Sequence, residues 1–522
     1  MPSSEILDVA ILGGGITGAA AAREAAMRGF SVALFEKGDF ASGTSSRSSK
    51  LIHGGQRYLE SFDFGLVRES CLERAALSRL APHLVRPLPF LFPVGGKGAP
   101  SKALLGVGLA LYRALAAGTR SPEPRFFRRG DAAIAAEAPR LDPPGWRGAW
   151  RYFDAQADDA LLTLAFLRDA AARGARLHSY TAASRLTRDR GGAVTGVEVE
   201  DVFSRERGTT VARVVVAALG PWSNGLSALA GEELPRSVRP SRGSHFFLPP
   251  GRLRVSAAVV LLDRDGRRCY AIPWRGGTLL GTTDSDDPSS PDDVAPTAGD
   301  REILLDAARR FFPSAGIGEE DVAGGFAGMR PLAAEDSGGP PSRASREESI
   351  REPVPRLVVS VGGKLTTARR TAGRVVDRVA AILRRDFGRA ETRAAETPLS
   401  GGAIPDFETF RAGIRDEAFR ELGFSDAQAD RLIEREGAGA PAALARMSRE
   451  RDLARPISDS LPYTVADLVW GVEAAGARTV DDLLARRVRL AWESPGEAEA
   501  CREMAADVLR RHAPKPLSIS AV

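Results

Sequence analysis

The apolar run Ile6–Leu12 is interrupted only by Asp8 and passes directly into Gly13-Gly14-Gly15-Ile16-Thr17-Gly18. An alanine-rich stretch of helical character follows to Met27, and a second apolar run, Ser31–Phe35, ends on Glu36. Short apolar runs bounded by glycine turns predict buried strands, so the order is strand, glycine turn, helix, strand, acid. That is the order of a dinucleotide-binding βαβ unit. Gly13 permits the tight turn, Gly15 lets backbone approach a pyrophosphate, and Gly18 lets helix and strand pack closely. The helix N-terminus, at Ile16 and Thr17, presents free N–H groups to the anion. Glu36, about twenty residues beyond the glycines, is placed to accept hydrogen bonds from ribose hydroxyls.

Farther along, Leu66, Val67, Ser70, Cys71, Arg74 and Leu77 recur at three- and four-residue steps and predict a helix over 64–80. Pro82, Pro87 and Pro89 break that pattern, and Phe90–Val94 reads as a strand opening a new domain. The apolar segment from Leu104 to Ala116 is flanked by Lys102, Arg113 and Arg120. It is shorter than the roughly twenty residues that span a bilayer. A buried helix and a helix lying in a membrane interface both fit it. Strands are predicted at 175–180, 194–199 and 211–219, and strands alternating with turns from 255 to 281 suggest an antiparallel sheet. A helix over 301–312 follows. The strand Leu357–Val361 leads into Gly362-Gly363-Lys364-Leu365-Thr366-Thr367 and a helix through Leu383, which would aim a second helix N-terminus at the cofactor. Beyond a linker at 398–405 the chain is predominantly helical, and no internal repeat is evident.

The predicted fold is therefore of the α/β class, α+β overall. A Rossmann-like domain is built from segments 1–80, 152–235 and 351–397. An antiparallel-sheet substrate domain comes from 81–151 and 236–350, and a helical domain from 398–522. The length of 522 residues suits two or three domains, and the apolar share of 43% suits a sizeable core. Three cysteines and five histidines are scattered without metal-ligand spacing, so neither a disulfide framework nor a metal site is expected. A net charge of +5 fits an anionic substrate or an anionic membrane surface. Aromatics do not interleave with the basic residues, which argues against nucleic acid. Glu5 and Asp8 interrupt any secretory apolar region, so a cytoplasmic location is expected.

After Glu36 comes a loop dense in hydroxyls, then Thr44-Ser45-Ser46-Arg47-Ser48-Ser49-Lys50-Leu51-Ile52-His53-Gly54-Gly55-Gln56-Arg57-Tyr58-Leu59-Glu60. A nicotinamide enzyme has no need of such a loop, whereas the extended FAD molecule can use its hydroxyls and amides. With Gly13–Gly18, this string resembles the FAD-dependent glycerol-3-phosphate dehydrogenases. So do Gly220-Pro221-Trp222, Ile272-Pro273-Trp274, Gly281-Thr282-Thr283-Asp284, Gly328-Met329-Arg330-Pro331-Leu332 and the C-terminal Leu461-Pro462-Tyr463-Thr464. One departure is Leu219, where the family carries threonine before Gly220. It removes a hydroxyl but keeps the turn.

The resemblance implies an FAD domain of the glutathione-reductase or D-amino-acid-oxidase type and hydride transfer from sn-glycerol 3-phosphate to flavin N5. Electrons would pass to a quinone, with the protein peripheral on the inner face of the cytoplasmic membrane. An oxidase using O2, an amino-acid or 2-hydroxy-acid oxidase on the same fold, and a non-catalytic nucleotide-binding protein are the alternatives. Implied cofactor contacts are Gly13, Gly15, Ile16, Thr17, Gly18, Glu36, Thr44, Ser45, Ser46, Ser49, Lys50, Leu51, His53, Gly220, Trp222, Gly363, Lys364, Leu365 and Thr366. Arginine forks suit phosphate. Arg57 and Arg346, with Tyr58, are assigned to the phosphate, and Arg330 to the reacting hydroxyl. His245 is the candidate base, and Lys364 would stabilise negative charge at the reacting centre. Dimerisation to a homodimer and partner docking both stay open for the C-terminal helices.

Overall fold

The computed structural model describes residues 6–59, 62–96, 100–119, 121–235, 238–333, 348–390, 392 and 396–512. The chain forms two main sheets, and residues from both line one cavity. The first runs Ser349–Val354, Leu357–Val361, Arg207–Ala217, Leu7–Leu12, Val32–Phe35, Arg176–His178. From Leu357–Val361 to Arg176–His178 every pairing is parallel. Leu7–Leu12 and Leu357–Val361 are buried at every position, as strands covered on both faces must be. Helices Ile16–Met27, Asp159–Ala172 and Ala368–Phe387 cover one face, their alanines and valines forming a core with Val9, Ile11 and Leu34.

Among the described residues the second sheet has ten strands, and near one edge of it Val238–Leu248 lies antiparallel between Gly324–Ala333 and Gly277–Gly281. Helix Ala298–Phe311 closes one face of this sheet, while Lys102–Leu115 packs on the other. Two boundaries differ from expectation. The strand Gly148–Gln156 lies wholly in this second sheet, so the first substrate-domain segment extends past 151. The strand Ser349–Val354 already belongs to the first sheet.

The predicted strand Phe90–Val94 is longer, Arg86–Val94, and runs through Pro87, Pro89 and Pro93. These prolines occupy alternate positions, so their missing N–H groups fall on one side of the strand. On the side away from Gly148–Gln156, pairing is confined to Phe90 and Leu91. The prolines therefore remove few ladder bonds. Helices from Phe407–Leu422 to Arg502–Arg511 form the C-terminal domain around their own core, including Leu432, Leu444, Leu468 and Leu483.

Candidate active site

A cavity of about 1110 Å³ opens where the two sheets meet. One end is the glycine turn. Gly13 has φ +106°, and a side chain there would stand 2.4 Å from the Ala218 carbonyl oxygen. Gly18 is needed for a different reason: its Cα lies against the Gly13 carbonyl, which a Cβ would meet at 2.0 Å. Helix Ile16–Met27 starts at Gly15 with no side-chain cap. The Ile16 N–H donates to Ser45 Oγ at 2.9 Å, and Thr17 also faces the cavity. The Glu36 carboxylate accepts from the N–H groups of Gly14 (2.7 Å) and Gly38 (2.9 Å). Burial nevertheless pushes its carboxyl above the ordinary glutamate range.

Ser42 to Leu51 form the long wall. Thr44 Oγ donates to the Met329 carbonyl at 2.5 Å, which ties the wall to the Gly324–Ala333 strand. Ser49 Oγ lies 2.8 Å from His245 Nε2. Gly220 and Trp222 also line the cavity, and the Trp222 ring lies against Gly43 in the space a side chain there would take. On the opposite side Gly362 and Gly363, with φ +80° and +84°, turn the chain after Leu357–Val361 so that Gly363, Lys364, Leu365 and Thr366 line the cavity. Thr366 Oγ accepts from the His53 N–H at 3.1 Å, and His53 Nδ1 accepts from the Gly55 N–H at 3.0 Å. Lys364 Nζ sits 3.8 Å above the Tyr58 ring.

Three predicted cofactor contacts stand behind this wall and require correction. Gly18 is a packing residue. Ser46 turns its hydroxyl to the Gly43 carbonyl at 3.4 Å. Lys50 is wholly buried, and its ammonium binds Asp159 at 2.8 Å and the Ser46 carbonyl at 3.0 Å. Desolvation lowers that ammonium's pKa to about 8, with Asp159 opposing the shift. Arg346 lies outside the described residues, and of Arg57 the structure describes only the backbone, in the 56–59 turn.

Arg330 is held by the Thr282 hydroxyl (2.7 Å), the Thr283 carbonyl (2.9 Å) and Asp284 (3.0 Å) while facing the cavity. Gly243 leaves the room its guanidinium needs. His245 stacks on Phe326 with ring centroids 4.9 Å apart. Burial, then the charges of Lys50 and Arg330, drive its pKa well below the usual histidine value, so the ring is neutral. Thr282, Asp284 and Arg47 also line the cavity and were not anticipated as site residues. Thr282 and Asp284 sit in a motif string, but nothing local says that they clamp an arginine 48 and 46 residues away.

These residues fit an extended dinucleotide. The glycine cradle excludes side chains, the N-cap Gly15 offers the helix no side chain of its own, and the buried Ser360 hydroxyl beside the cavity has no partner among the described residues. The volume lies just above the usual range of small-molecule sites, about 300–1,000 Å³.

Residues 8–378 match the family model of FAD dependent oxidoreductases, and residues 392–514 match that of the C-terminal domain of alpha-glycerophosphate oxidase. The chain is 33% identical to the aerobic glycerol-3-phosphate dehydrogenase of Staphylococcus aureus (strain USA300) over 487 residues, 92% of this chain and 86% of that protein. The glycerol-3-phosphate dehydrogenase from Bacillus halodurans complexed with FAD superposes with a TM-score of 0.77 at 28% identity, covering 98% of this chain and 92% of that one. The L-alpha-glycerophosphate oxidase from Mycoplasma pneumoniae, with FAD bound, shares the fold at a TM-score of 0.57 and 18% identity, over 75% of this chain and 98% of that one.

Proposed function

The chain belongs to the FAD-dependent glycerol-3-phosphate dehydrogenase and oxidase family, and we propose that it oxidises sn-glycerol 3-phosphate to dihydroxyacetone phosphate and delivers the electrons to a membrane quinone. Bound FAD supplies the hydride acceptor. Gly13, Gly15 and the N-terminus of Ile16–Met27 would hold its pyrophosphate, Glu36 its ribose, and the Ser42–Leu51 and Gly362–Thr366 walls its remainder.

The observation that carries the reading is the convergence of Ser49–His245, Arg330 and Lys364 on one cavity. The substrate hydroxyl gives its proton to Ser49 Oγ, whose own proton passes to His245 Nε2. Because His245 is neutral, it is ready to accept. Arg330, rigidly clamped on one side, orients the reacting oxygen, and Lys364 steadies negative charge developing there. Arg57 and Arg346, with Tyr58, take the phosphate. The dianion's approach would raise the pKa of His245 and strengthen it as a base.

Peripheral membrane attachment is supported by helix Lys102–Leu115. It buries Leu105, Leu109 and Tyr112, yet also exposes Leu104 (67%), Val107 (69%) and Leu111 (39%). Among the described residues no helix is long and apolar enough to cross a membrane. An interfacial helix meets lipid with such a second apolar face.

Anaerobic dye reduction tests the function. Glycerol 3-phosphate should bleach the flavin and reduce the dye, whereas glycerol should do neither at equal concentration. Absence of bleaching by glycerol 3-phosphate would falsify the assignment. Reoxidation rates of the reduced enzyme with a short-chain quinone and with air then separate dehydrogenase from oxidase.

A further inference from the structure

One short element of the C-terminal helical domain, the helix Leu490–Glu493 with the residue that precedes it, reaches the cavity wall from behind. Arg489 adopts a left-handed backbone (φ +65°) and is fully buried. Its guanidinium donates to Asp158 at 2.5 and 3.1 Å, to Asp159 at 2.7 Å and to the Ser46 carbonyl at 3.3 Å. Asp159 in turn accepts from the Ser48 N–H (2.9 Å), the Ser48 hydroxyl (2.7 Å) and the Lys50 ammonium. Ser49 is thus flanked on both sides by residues tied into one buried ion cluster. Lys50 itself has φ +61°, a backbone state that a non-glycine residue keeps only when its surroundings hold it.

Three residues on from Arg489, Trp492 presents its ring at 4.9 Å, edge-on, to Phe326, whose other neighbour is the stacked His245 ring. The fit is close. Gly324, two residues before Phe326, lies so near the Trp492 carbonyl that a Cβ would meet it at 2.2 Å. Glu493 anchors the helix by accepting from Trp274 Nε1 and from the Tyr463 hydroxyl, each at 2.6 Å. The Ser49–His245 contact therefore has each of its partners backed by a separate side chain of the C-terminal domain.

We propose that Arg489 and Trp492 are positioning residues for the Ser49–His245 pair, Arg489 through the ion cluster that sets Ser48 to Lys50 and Trp492 through Phe326. The C-terminal domain is then the rear wall of the active site, and its sequence sets the alignment of the proton-accepting pair. This rests on the assigned oxidation only for its kinetic readout. Its structural readout, the imidazole 15N resonances of His245, needs no substrate.

The experiment compares FAD-loaded wild type with Trp492→Leu, Trp492→Phe and Arg489→Lys. His245 is identified by the resonance missing in His245→Gln. In Trp492→Leu, FAD content and the dissociation constant for glycerol 3-phosphate should stay within twofold. The turnover number should fall about tenfold, since misplacement of reacting groups by about 1 Å can cost about a hundredfold and a smaller shift costs less. The His245 signals should shift or broaden, and Trp492→Phe should recover most of both effects. Arg489→Lys should shift the same signals if it folds; if it does not, the two Trp492 variants decide alone. An unmoved His245 resonance in folded Trp492→Leu overturns the proposal, as does a loss of turnover matched by loss of FAD. A wild type that ignores glycerol 3-phosphate would sink the assigned reaction while leaving the resonance test intact.

Discussion

At the glycine-turn end of the cavity, where the proposed function puts the dinucleotide, a ligand would meet mostly main chain: the glycine turn, the N-terminus of Ile16–Met27 and the Glu36 carboxylate. At the proposed substrate end it would meet side chains, Ser49, His245, Arg330 and Lys364, each kept in place by partners from other segments. The first end owes its shape to the absence of Cβ atoms and tolerates nothing larger. The second is built from charged and polar side chains, so changes of charge there should matter more than changes of volume. Damage to the two should differ in kind. Backbone lesions should expel FAD, whereas charge lesions should leave a flavoprotein that no longer turns over.

The largest effect is expected at Gly13. Gly13→Ala forces a Cβ into the Ala218 carbonyl at a backbone φ of +106°, so the turn must open. Purified protein should be colourless, with activity lost and not restored by added FAD. Yellow, active Gly13→Ala would break the comparison at its firmest point.

Next come the charges. Arg330→Ala should lower turnover by about a thousandfold, the range seen when a preorganised donor is removed from a reacting oxygen. FAD should stay bound. Loss of flavin and activity together would mean that the clamp of Thr282, Thr283 and Asp284 on Arg330 shapes the cofactor wall instead. Lys364→Met should be milder, about ten- to a hundredfold in kcat, with substrate affinity changed less. Tyr58 retains its place beneath the methionine, because the Gly55–Tyr58 turn is closed by its own hydrogen bond. An unchanged kcat would remove Lys364 from the chemistry.

The same division explains what was legible in the sequence. Strand, glycine turn, helix, strand and acid are encoded within about thirty consecutive residues, and the local rules that read them need no tertiary knowledge. Ser49 and His245 are 196 residues apart, and Arg489 and Asp158 are 331 apart. No periodicity couples such positions. Lys50 shows the cost. Its neighbours face the cavity, so it reads as a cofactor contact, but its backbone has a left-handed φ of +61° that no local pattern announces, and its side chain turns away to meet Asp159. The prolines of Arg86–Val94 misled in the opposite sense. Proline ends a strand only where its missing N–H is needed, and alternation put all three where few bonds form.

The smallest effect, and the one that sharpens the contrast most, belongs to Glu36. Its carboxylate holds the Gly14 and Gly38 N–H groups, while burial raises its pKa. A folded pKa above the unfolded value means that the folded apoprotein holds this proton more tightly, so the group's contribution to stability is lost as pH rises through the folded pKa. Ribose hydroxyls donating to the carboxylate favour its ionised form and oppose that loss. FAD affinity in wild type should therefore increase as pH rises through the Glu36 pKa. Glu36→Gln abolishes the titration and turns an NH2 donor toward one of the two N–H groups. Above the Glu36 pKa its FAD affinity should be about tenfold weaker, as expected for one lost hydrogen bond to a charged acceptor, and nearly independent of pH. Below that pKa the two proteins should converge. Once saturated with FAD, the variant should keep the wild-type kcat within twofold, because no group at the substrate end depends on Glu36. Titration of apoprotein with FAD across the pH range, followed by tryptophan fluorescence, measures the first effect, and dye reduction at saturating FAD measures the second. A fall in kcat at saturation would show that the two ends are coupled through the Gly38–Ser42 turn and that their separation is one of materials only.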